Sequence, residues 1–236
     1  MPWRLLLFGA SGAIGQAVQE TALALGWQVV AVSRRARPAQ LGPTHWVSFD
    51  PDGGIIVDSD IESLGPYDAV CWTQGANLSD SVYRFNEADA LDLYRANCVF
   101  VVDTLNQLLD AKLLRQGGAR LCIVSSIWQE RARQNKLSYV MTKAAVGGLV
   151  RSASADMAVD GHLVNAVLPG VLDTPMTQAA LAPHQLSGIQ AATQFNALPT
   201  TGGVASLIGY LCSEANVGVT GQSVAVDLGY SNVRIV

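Results

Sequence analysis

Seven short apolar runs recur along the chain, and longer segments with helical spacing separate them. Each run is nearly continuous in hydrophobic residues, which is typical of strands buried on both faces of a parallel sheet. The runs cover residues 4–8, 27–32, 45–49, 68–73, 119–125, 163–168 and 223–228, and helical periodicity covers 13–25, about 87–115, 138–158 and 202–213. This alternation predicts an α/β fold: one doubly wound, Rossmann-type domain with a mainly parallel seven-stranded sheet flanked by helices on both faces. In such a fold, ligands bind at the carboxyl ends of the strands.

The size and charge of the chain limit the classes of partner that it is expected to bind. Its 236 residues, half of them hydrophobic and 14% charged, suit a single domain spanning 1–236. The net charge is −4 and the basic residues cluster only in "SRRAR" (33–37), so neither nucleic acid nor an anionic membrane is expected as a partner. The N-terminal apolar run of about five residues is too short for a signal peptide or a membrane span. We therefore expect a cytoplasmic protein that acts on a small molecule.

The cysteines and histidines predict no metal site. Each cysteine lies singly inside an apolar run, and no histidine has a carboxylate or cysteine at ligand spacing. We therefore expect buried thiols in a reducing compartment. The residues concerned are Cys71, Cys98, Cys122, Cys212, His45, His162 and His184.

The first glycine cluster, "FGASGAIG" (8–15), lies between a predicted strand and a predicted helix. Gly9, Gly12 and Gly15 let the chain turn tightly and bring backbone N–H groups close to a phosphate at the helix N-terminus. A simple tight turn without a ligand is the alternative. The order of strand, turn and helix favours a dinucleotide site.

The second predicted strand ends in "VVAVSRRARP" (29–38). An acidic residue at this strand end would bind the ribose hydroxyls and repel a 2′-phosphate, but the segment contains none. Ser33 can donate to a phosphate oxygen, and Arg34 or Arg35 can make charge-assisted contacts with it. A solvated cationic loop is the alternative. The pattern favours NADP(H) over NAD(H).

"KLSYVMTKAA" (136–145) places Tyr139 and Lys143 four residues apart in a predicted helix, so both side chains share one face. A nearby ammonium favours the phenolate, which predicts a tyrosine pKa lowered toward neutrality and an acid/base role. Ser126 ends the preceding strand thirteen residues before the tyrosine (139 − 126 = 13) and faces the same crevice. Asn97, a polar residue among apolar ones, needs a partner, and a buried water linked to Lys143 would serve.

Together these motifs resemble the short-chain dehydrogenase/reductase family, in its compact single-domain branch, over nearly the whole chain. Ala13 and Leu228 stand where glycine is common in the family, and in "WTQG" (72–75) only Gly75 carries over. The segments that carry the resemblance are "GASGAIG" (9–15), "SR" (33–34), Asp50, Asn97, Ser126, "YVMTK" (139–143), "NAVLPGVLDTPM" (165–176) and "TGQSVAVDLG" (220–229).

The resemblance implies a role for each candidate residue. Tyr139 is the general acid/base and Ser126 orients the substrate oxygen. Lys143 holds the nicotinamide ribose and perturbs the tyrosine, while Asn97 anchors a proton-relay water. Asp50 meets the adenine. The implied NADP(H) site consists of Gly9, Ser11, Gly12, Ala13, Ile14, Gly15, Ser33, Arg34, Arg35, Asp50, Gly75, Tyr139, Lys143, Pro169, Gly170, Leu172 and Thr174.

The resemblance also implies a homo-oligomer, commonly a tetramer. The surfaces expected to form it are the helices predicted at 87–115 and 138–158 and the C-terminal region. There, Val233, Ile235 and Val236 would otherwise be exposed to water.

Two segments are candidates for substrate binding. Residues 171–201 have weak periodicity and exceed the usual length of a connecting loop, which favours a lid. The polar segment "WQERARQNK" (128–136) lies between the serine and the tyrosine, so Trp128, Gln129, Arg131 and Arg133, with Glu130, are predicted substrate contacts. A solvated loop or a subunit contact is the alternative, and Trp128 is equally compatible with core packing.

The predicted function is that of an NADP(H)-dependent carbonyl reductase or alcohol dehydrogenase acting on a polar small molecule, such as a 3-oxoacyl or sugar-like compound. A non-catalytic dinucleotide sensor or partner subunit on the same fold is an alternative. A sugar epimerase or dehydratase with the same Tyr–Lys pair is another, which the length of the chain disfavours.

Overall fold

The computed structural model of the protein describes residues 2–34, 44–48 and 57–232. Seven strands form one sheet in the order β3-β2-β1-β4-β5-β6-β7, and all six neighbouring pairs are parallel. The strands are β1 (Arg4–Phe8), β2 (Gln28–Ser33), β3 (His45–Ser48), β4 (Ala69–Trp72), β5 (Arg120–Val124), β6 (Leu163–Pro169) and β7 (Ser223–Val226). The predicted fold class is confirmed, and every predicted strand is present to within two residues.

The sheet is buried on both faces, as the continuous apolar runs predicted. In the inner strand β1, Leu6 and Phe8 pack into one core cluster while Leu5 and Leu7 pack into the other. The first cluster includes residues of the two long helices at 100–110 and 137–156, and the second includes residues of the helices at 13–24 and 201–211. Alternate side chains of one strand therefore anchor helices on opposite faces.

The helices confirm most of the predicted segments, with one interruption. The segment predicted as one helix over about 87–115 is two helices joined by a π-helical turn, Arg95–Val99, and it ends at Asp110. A wider turn of this kind leaves no signature in apolar spacing. The helices are α1 (Ala13–Ala24), α2 (Ser59–Leu64), α3 (Glu87–Tyr94), α4 (Phe100–Asp110), α5 (Leu137–Asp156), α6 (Pro175–Ala180), α7 (Pro183–Ala191) and α8 (Thr201–Leu211).

Helices α2, α6 and α7 were not predicted from the sequence. No residue of α7 is buried, and Ile61 is the one buried residue of α2, so neither has the apolar stripe on which a periodicity argument depends. Their capping signals are present: Asp58 caps α2, Thr174 caps α6, and prolines open α6 and α7. None of the helices that the structure describes is both long and apolar enough to cross a membrane.

Candidate active site

Five strands end at one edge of the sheet and bring most of the predicted site residues there. Gly9 follows β1, Ser33 ends β2, Gly75 lies just beyond β4, Ser126 just beyond β5, and Pro169 ends β6. Because all strands are parallel, their carboxyl ends meet at the same edge. The crevice at this edge is the candidate active site.

In the glycine turn at this edge, two glycines are required by close packing and one faces open space. Gly9 has φ +77°, and a Cβ there would lie 2.5 Å from the backbone nitrogen of Gln74 on the neighbouring chain segment. A Cβ on Gly15 would lie 2.4 Å from the Gly9 carbonyl oxygen. At Gly12, by contrast, a Cβ would meet only that same oxygen, at 3.4 Å. The fold itself therefore requires glycine at 9 and 15, whereas Gly12 leaves space outside the turn.

The N-terminus of α1 has the properties of a phosphate site. Gly12 is its N-cap and supplies no side-chain hydrogen bond to the first turn, which begins with Ala13 and Ile14. Unsatisfied N–H groups at a helix start, with the positive end of the helix dipole, favour an anion. The residues present therefore fit the phosphates of a dinucleotide.

The end of β2 is linked to the glycine turn. Ser33 is buried, and its Oγ donates to Ser11 Oγ over 2.7 Å. Arg34 follows and is exposed. Two further predicted cofactor residues, Arg35 and Asp50, lie outside the described residues.

Helix α5 presents Tyr139 and Lys143 to the crevice on one face, as their spacing predicted. The Lys143 Nζ lies 5.7 Å from the centroid of the tyrosine ring and donates to the Val124 carbonyl oxygen over 3.3 Å. The Ser126 hydroxyl lies near enough to the tyrosine hydroxyl to act on its pKa, and Ser126 Oγ accepts from the Trp128 backbone N–H over 3.3 Å. The structure thus brings the serine, the tyrosine and the lysine together.

Burial dominates the acid/base properties of the pair. It raises the pKa of Tyr139, and the nearby Ser126 hydroxyl offsets this only in part. Burial also lowers the pKa of Lys143, to about 8. The prediction that the ammonium brings the tyrosine pKa toward neutrality is therefore wrong for the protein by itself. Loss of hydration disfavours both charged forms more than the two groups stabilise each other.

Asn97 lies on the π-helical turn and is buried against the β4 side of the crevice. Its Oδ1 accepts from the Ala76 N–H over 2.8 Å, and its Nδ2 donates to the Ala76 carbonyl oxygen (3.2 Å) and to Thr142 Oγ1 (3.0 Å). These contacts supply protein partners for the asparagine side chain, and its Oδ1 keeps a second lone pair. A Cβ on Gly75 would lie 3.5 Å from this Oδ1 and 3.7 Å from the Lys143 Nζ. The asparagine and the lysine therefore converge on Gly75.

Sequence reasoning missed a buried polar cluster at the start of α5, which we call the α5 clamp: Asp80, Lys136 and Ser138. The Asp80 carboxylate accepts from the Ser138 N–H over 3.0 Å and from the Ser138 hydroxyl. Lys136 Nζ donates to Asn77 Oδ1 (2.9 Å), the Leu78 carbonyl oxygen (3.0 Å) and Ser79 Oγ (2.9 Å). The clamp fastens the loop after β4 to the residue that precedes Tyr139. No local signal reveals it, because the aspartate and the serine lie 58 positions apart.

The predicted substrate loop divides into two parts. Gln129 turns inward: its Nε2 donates to Ser223 Oγ over 2.9 Å, and a Cβ on Gly147 would lie 2.8 Å from the same atom. Trp128, Arg131 and Arg133 instead line a cleft of about 810 Å³. Ala132, Gln134, Gln185, Ile189, Ala191, Ala192, Tyr230 and Ser231 complete its lining. The cleft therefore lies between the loop at 128–134 and the end of α7, within the predicted lid.

The segment after β6 is held closely against the end of β7. A Cβ on Gly170 would lie 2.8 Å from the Asp227 Cβ, and the Gly170 N–H donates to the Val226 carbonyl oxygen over 2.9 Å. Leu172 is buried in the core cluster that includes α1 and α8, and Thr174 caps α6. The side chains of these last two residues thus have structural contacts of their own.

All four cysteines are free and buried, as predicted. Within residues 2–34, 44–48 and 57–232, no group of three histidine, cysteine, aspartate or glutamate side chains is placed to hold a metal ion.

Comparison with known proteins gives consistent relatives. A sequence model described as enoyl-(acyl carrier protein) reductase matches residues 56–231. The 3-oxoacyl-(acyl-carrier-protein) reductase FabG of Escherichia coli (strain K12) is 24% identical over 235 residues, covering 95% of each chain.

Solved structures share the fold over nearly the full length. An actinorhodin polyketide ketoreductase with NADPH aligns with TM-score 0.87 and 21% identity, covering 98% of both chains. ElxO with NADP bound aligns with TM-score 0.84 and 23% identity, covering 98% of this chain and 99% of that one.

Proposed function

The chain belongs to the short-chain dehydrogenase/reductase family of oxidoreductases, and on this premise we propose that it is an NADP(H)-dependent enzyme interconverting a carbonyl and a secondary alcohol. One observation carries the proposal: Ser126, Tyr139 and Lys143 meet beyond β5, with the serine hydroxyl near enough to act on the pKa of Tyr139 and the Lys143 Nζ 5.7 Å from the centroid of the tyrosine ring. These groups meet at the sheet edge that also bears the glycine turn.

Each of the four side chains has a proposed role. Tyr139 transfers the proton to or from the substrate oxygen, and Ser126 donates a hydrogen bond that orients this oxygen. Lys143 contacts the cofactor ribose and, as a cation, favours the phenolate. Asn97 holds the β4 side of the crevice in place and offers its remaining lone pair to a water that exchanges protons with Lys143.

The residues around the crevice fit a nicotinamide dinucleotide, which supplies or accepts the hydride when bound. The open space at Gly12 and the uncapped first turn of α1 support a pyrophosphate there. We assign the phosphate and ribose contacts to residues 9–15, the nicotinamide contacts to residues 169–174, and the space beside Gly75 to the cofactor near Lys143.

The cofactor is proposed to be NADP(H). β2 ends at Ser33 and Arg34 follows it, and the segment 29–38 contains no acidic residue that would repel a 2′-phosphate. Arg35, which would add a second cation, lies outside the described residues. Two structural neighbours were solved with NADP or NADPH bound, which supports the choice.

The substrate is proposed to be a polar ketone or alcohol of the 3-oxoacyl or sugar-like type. The cleft between the loop at 128–134 and α7 is within the size range of small-molecule sites, and residues 171–201 would act as its lid within a single domain. The similarity to a 3-oxoacyl-(acyl-carrier-protein) reductase supports the 3-oxoacyl alternative.

The protein is also proposed to be a cytoplasmic homo-oligomer, a dimer or tetramer. Exposed apolar side chains on α3, α4 and α5 support an interface there: Leu91, Tyr94, Val102 and Met141 are between 45% and 56% exposed. The predicted C-terminal contacts, Val233, Ile235 and Val236, lie outside the described residues. Light scattering that gives only a 24.9 kDa monomer would contradict this proposal.

A panel of ketones with NADPH, followed by absorbance and product analysis, tests the function. We expect consumption of NADPH and formation of an alcohol. A sensor would bind NADPH without turnover, and an epimerase or dehydratase would form product without net change in NADPH. Either result would reject the proposed reaction.

A further inference from the structure

The cleft between the substrate loop and α7 has an uneven charge distribution. Its described lining contains two arginines, Arg131 and Arg133, and no acidic residue. The rest of the wall is mainly apolar, with Trp128, Ile189 and Tyr230 as its largest hydrophobic members. A ligand that fills this space would meet a positive group beside apolar surface.

The two arginines differ in how their guanidinium groups are used. Arg131 Nη2 donates to the Ser231 carbonyl oxygen over 3.1 Å and to Asn232 Oδ1 over 2.9 Å. This arginine therefore ties the loop to the segment after β7, and part of its donor set is already engaged.

Arg133 is half-buried, and within the described part of the chain its guanidinium has neither a hydrogen bond nor an ion pair. Its charged neighbour is Lys136. Burial is the main cause that lowers the pKa of this lysine, and the positive charge of Arg133 lowers it further. The one carboxylate of the α5 clamp, Asp80, is bonded to Ser138. Two cations are thus adjacent here, and the nearby carboxylate already has partners. A half-buried guanidinium with its donors unused, in a cleft without a carboxylate in its described lining, favours an anion from outside the chain.

We propose that Arg133 binds an anionic group of the substrate, a carboxylate or a phosphate monoester, at a distance from the carbonyl that is reduced. A planar guanidinium matches both anions with two parallel hydrogen bonds. The distance follows because Ser126 and Tyr139 do not line this cleft, whereas Trp128, two residues beyond the serine, does. The substrate class is therefore an oxo or hydroxy compound with an apolar spacer and a terminal anion. The inference rests on the proposed reaction for its substrate but not for its binding site.

Matched ketones test the specificity. We would compare kcat/KM for 7-oxooctanoate and for its uncharged methyl ester with NADPH, in wild type and in the Arg133→Ala, Arg133→Lys and Arg131→Ala variants. In wild type we expect the acid to be preferred about tenfold or more, the size of one charge-assisted hydrogen bond. Arg133→Ala should bring the acid-to-ester ratio of kcat/KM close to 1 by raising KM for the acid. Arg133→Lys should keep part of the preference for the acid. Arg131→Ala and the exposed control Arg151→Ala should leave the ratio itself as in wild type.

A binding measurement without turnover separates this inference from the proposed reaction. Calorimetry with octanoate, octyl phosphate and octanamide should show binding of one or both anions, no comparable binding of the amide, and loss of anion binding in Arg133→Ala. The stronger of the two anions identifies the terminal group. Anion binding without reduction of any ketone would reject the reaction and keep the site. A wild-type acid-to-ester ratio near 1, or anion binding that survives Arg133→Ala, would overturn the inference.

Discussion

Two regions of the candidate site are built differently: the catalytic wall, formed by Asn97, Ser126, Tyr139 and Lys143, and the proposed substrate wall, formed by the loop at 128–134 and α7. On the catalytic wall, Asn97, Ser126 and Lys143 are at least 93% buried and each has protein hydrogen-bond partners. On the substrate wall, no residue of α7 is buried and Arg131 is exposed. A buried, hydrogen-bonded group can move little, whereas exposed side chains can be exchanged without disturbing the core. The comparison supports a proposal in which the core fixes the reaction geometry and the surface sets the substrate selectivity.

Tyr139→Phe is the strongest test of the catalytic wall. Removing the hydroxyl removes the proposed proton transfer, so kcat/KM should fall about 10²- to 10⁴-fold, while NADPH affinity stays within a few-fold. Steady-state kinetics and fluorescence titration with NADPH measure the two effects. Turnover within tenfold of wild type would show that another group transfers the proton.

Lys143→Met tests whether the buried lysine of the catalytic wall lowers the stability of the folded protein. The folded-state pKa of about 8 lies below the usual value of 10.5, so between these pH values the folded protein binds fewer protons than the unfolded chain. Stability should therefore rise as pH increases from 8 to 10.5, and below pH 8 the buried lysine costs about 3 kcal/mol.

The methionine variant should lack this rise and be more stable at pH 7 by about 2 kcal/mol, since loss of the bond to the Val124 carbonyl offsets about 1 kcal/mol. Urea denaturation at pH 7 and pH 10 measures both effects, with Arg151→Met as an exposed control on the same helix. If the methionine variant gained as much stability as wild type between pH 7 and pH 10, the prediction would be contradicted.

Asp80→Ala tests whether the α5 clamp supports the catalytic wall. The change leaves the Ser138 N–H and hydroxyl without their acceptor, so the free energy of unfolding should fall by about 1–3 kcal/mol. Asp80→Asn keeps one acceptor oxygen and should fall by less. Denaturation of both variants measures this order, and an Asp80→Ala variant as stable as wild type would show that the carboxylate is dispensable.

Arg131→Ala should have the smallest effect on the free energy of unfolding, in contrast to the change in the α5 clamp. Its bonds to Ser231 and Asn232 are exposed and its acceptors are uncharged, so the free energy of unfolding should change by less than about 1 kcal/mol. A loss as large as that of Asp80→Ala would remove the distinction between the two walls.

Local patterns were sufficient for the parts of this protein that depend on near neighbours in sequence. The seven apolar runs and the i, i+4 spacing of Tyr139 and Lys143 are such patterns, and both are found as predicted. Helices α2 and α7 were missed because they bury too little to leave an apolar stripe.

The amino-acid sequence by itself determined the alternation of strands and helices, the glycine turn, and the placement of the serine, tyrosine and lysine at one sheet edge. Only the tertiary structure decided the sign of the tyrosine pKa shift, the partners of Asn97, the α5 clamp, and the separation of Gln129 from the two arginines. The physical reason is that burial and pairing between distant segments set these properties. Neither the loss of water around a side chain nor a contact across 58 positions leaves a mark in local spacing.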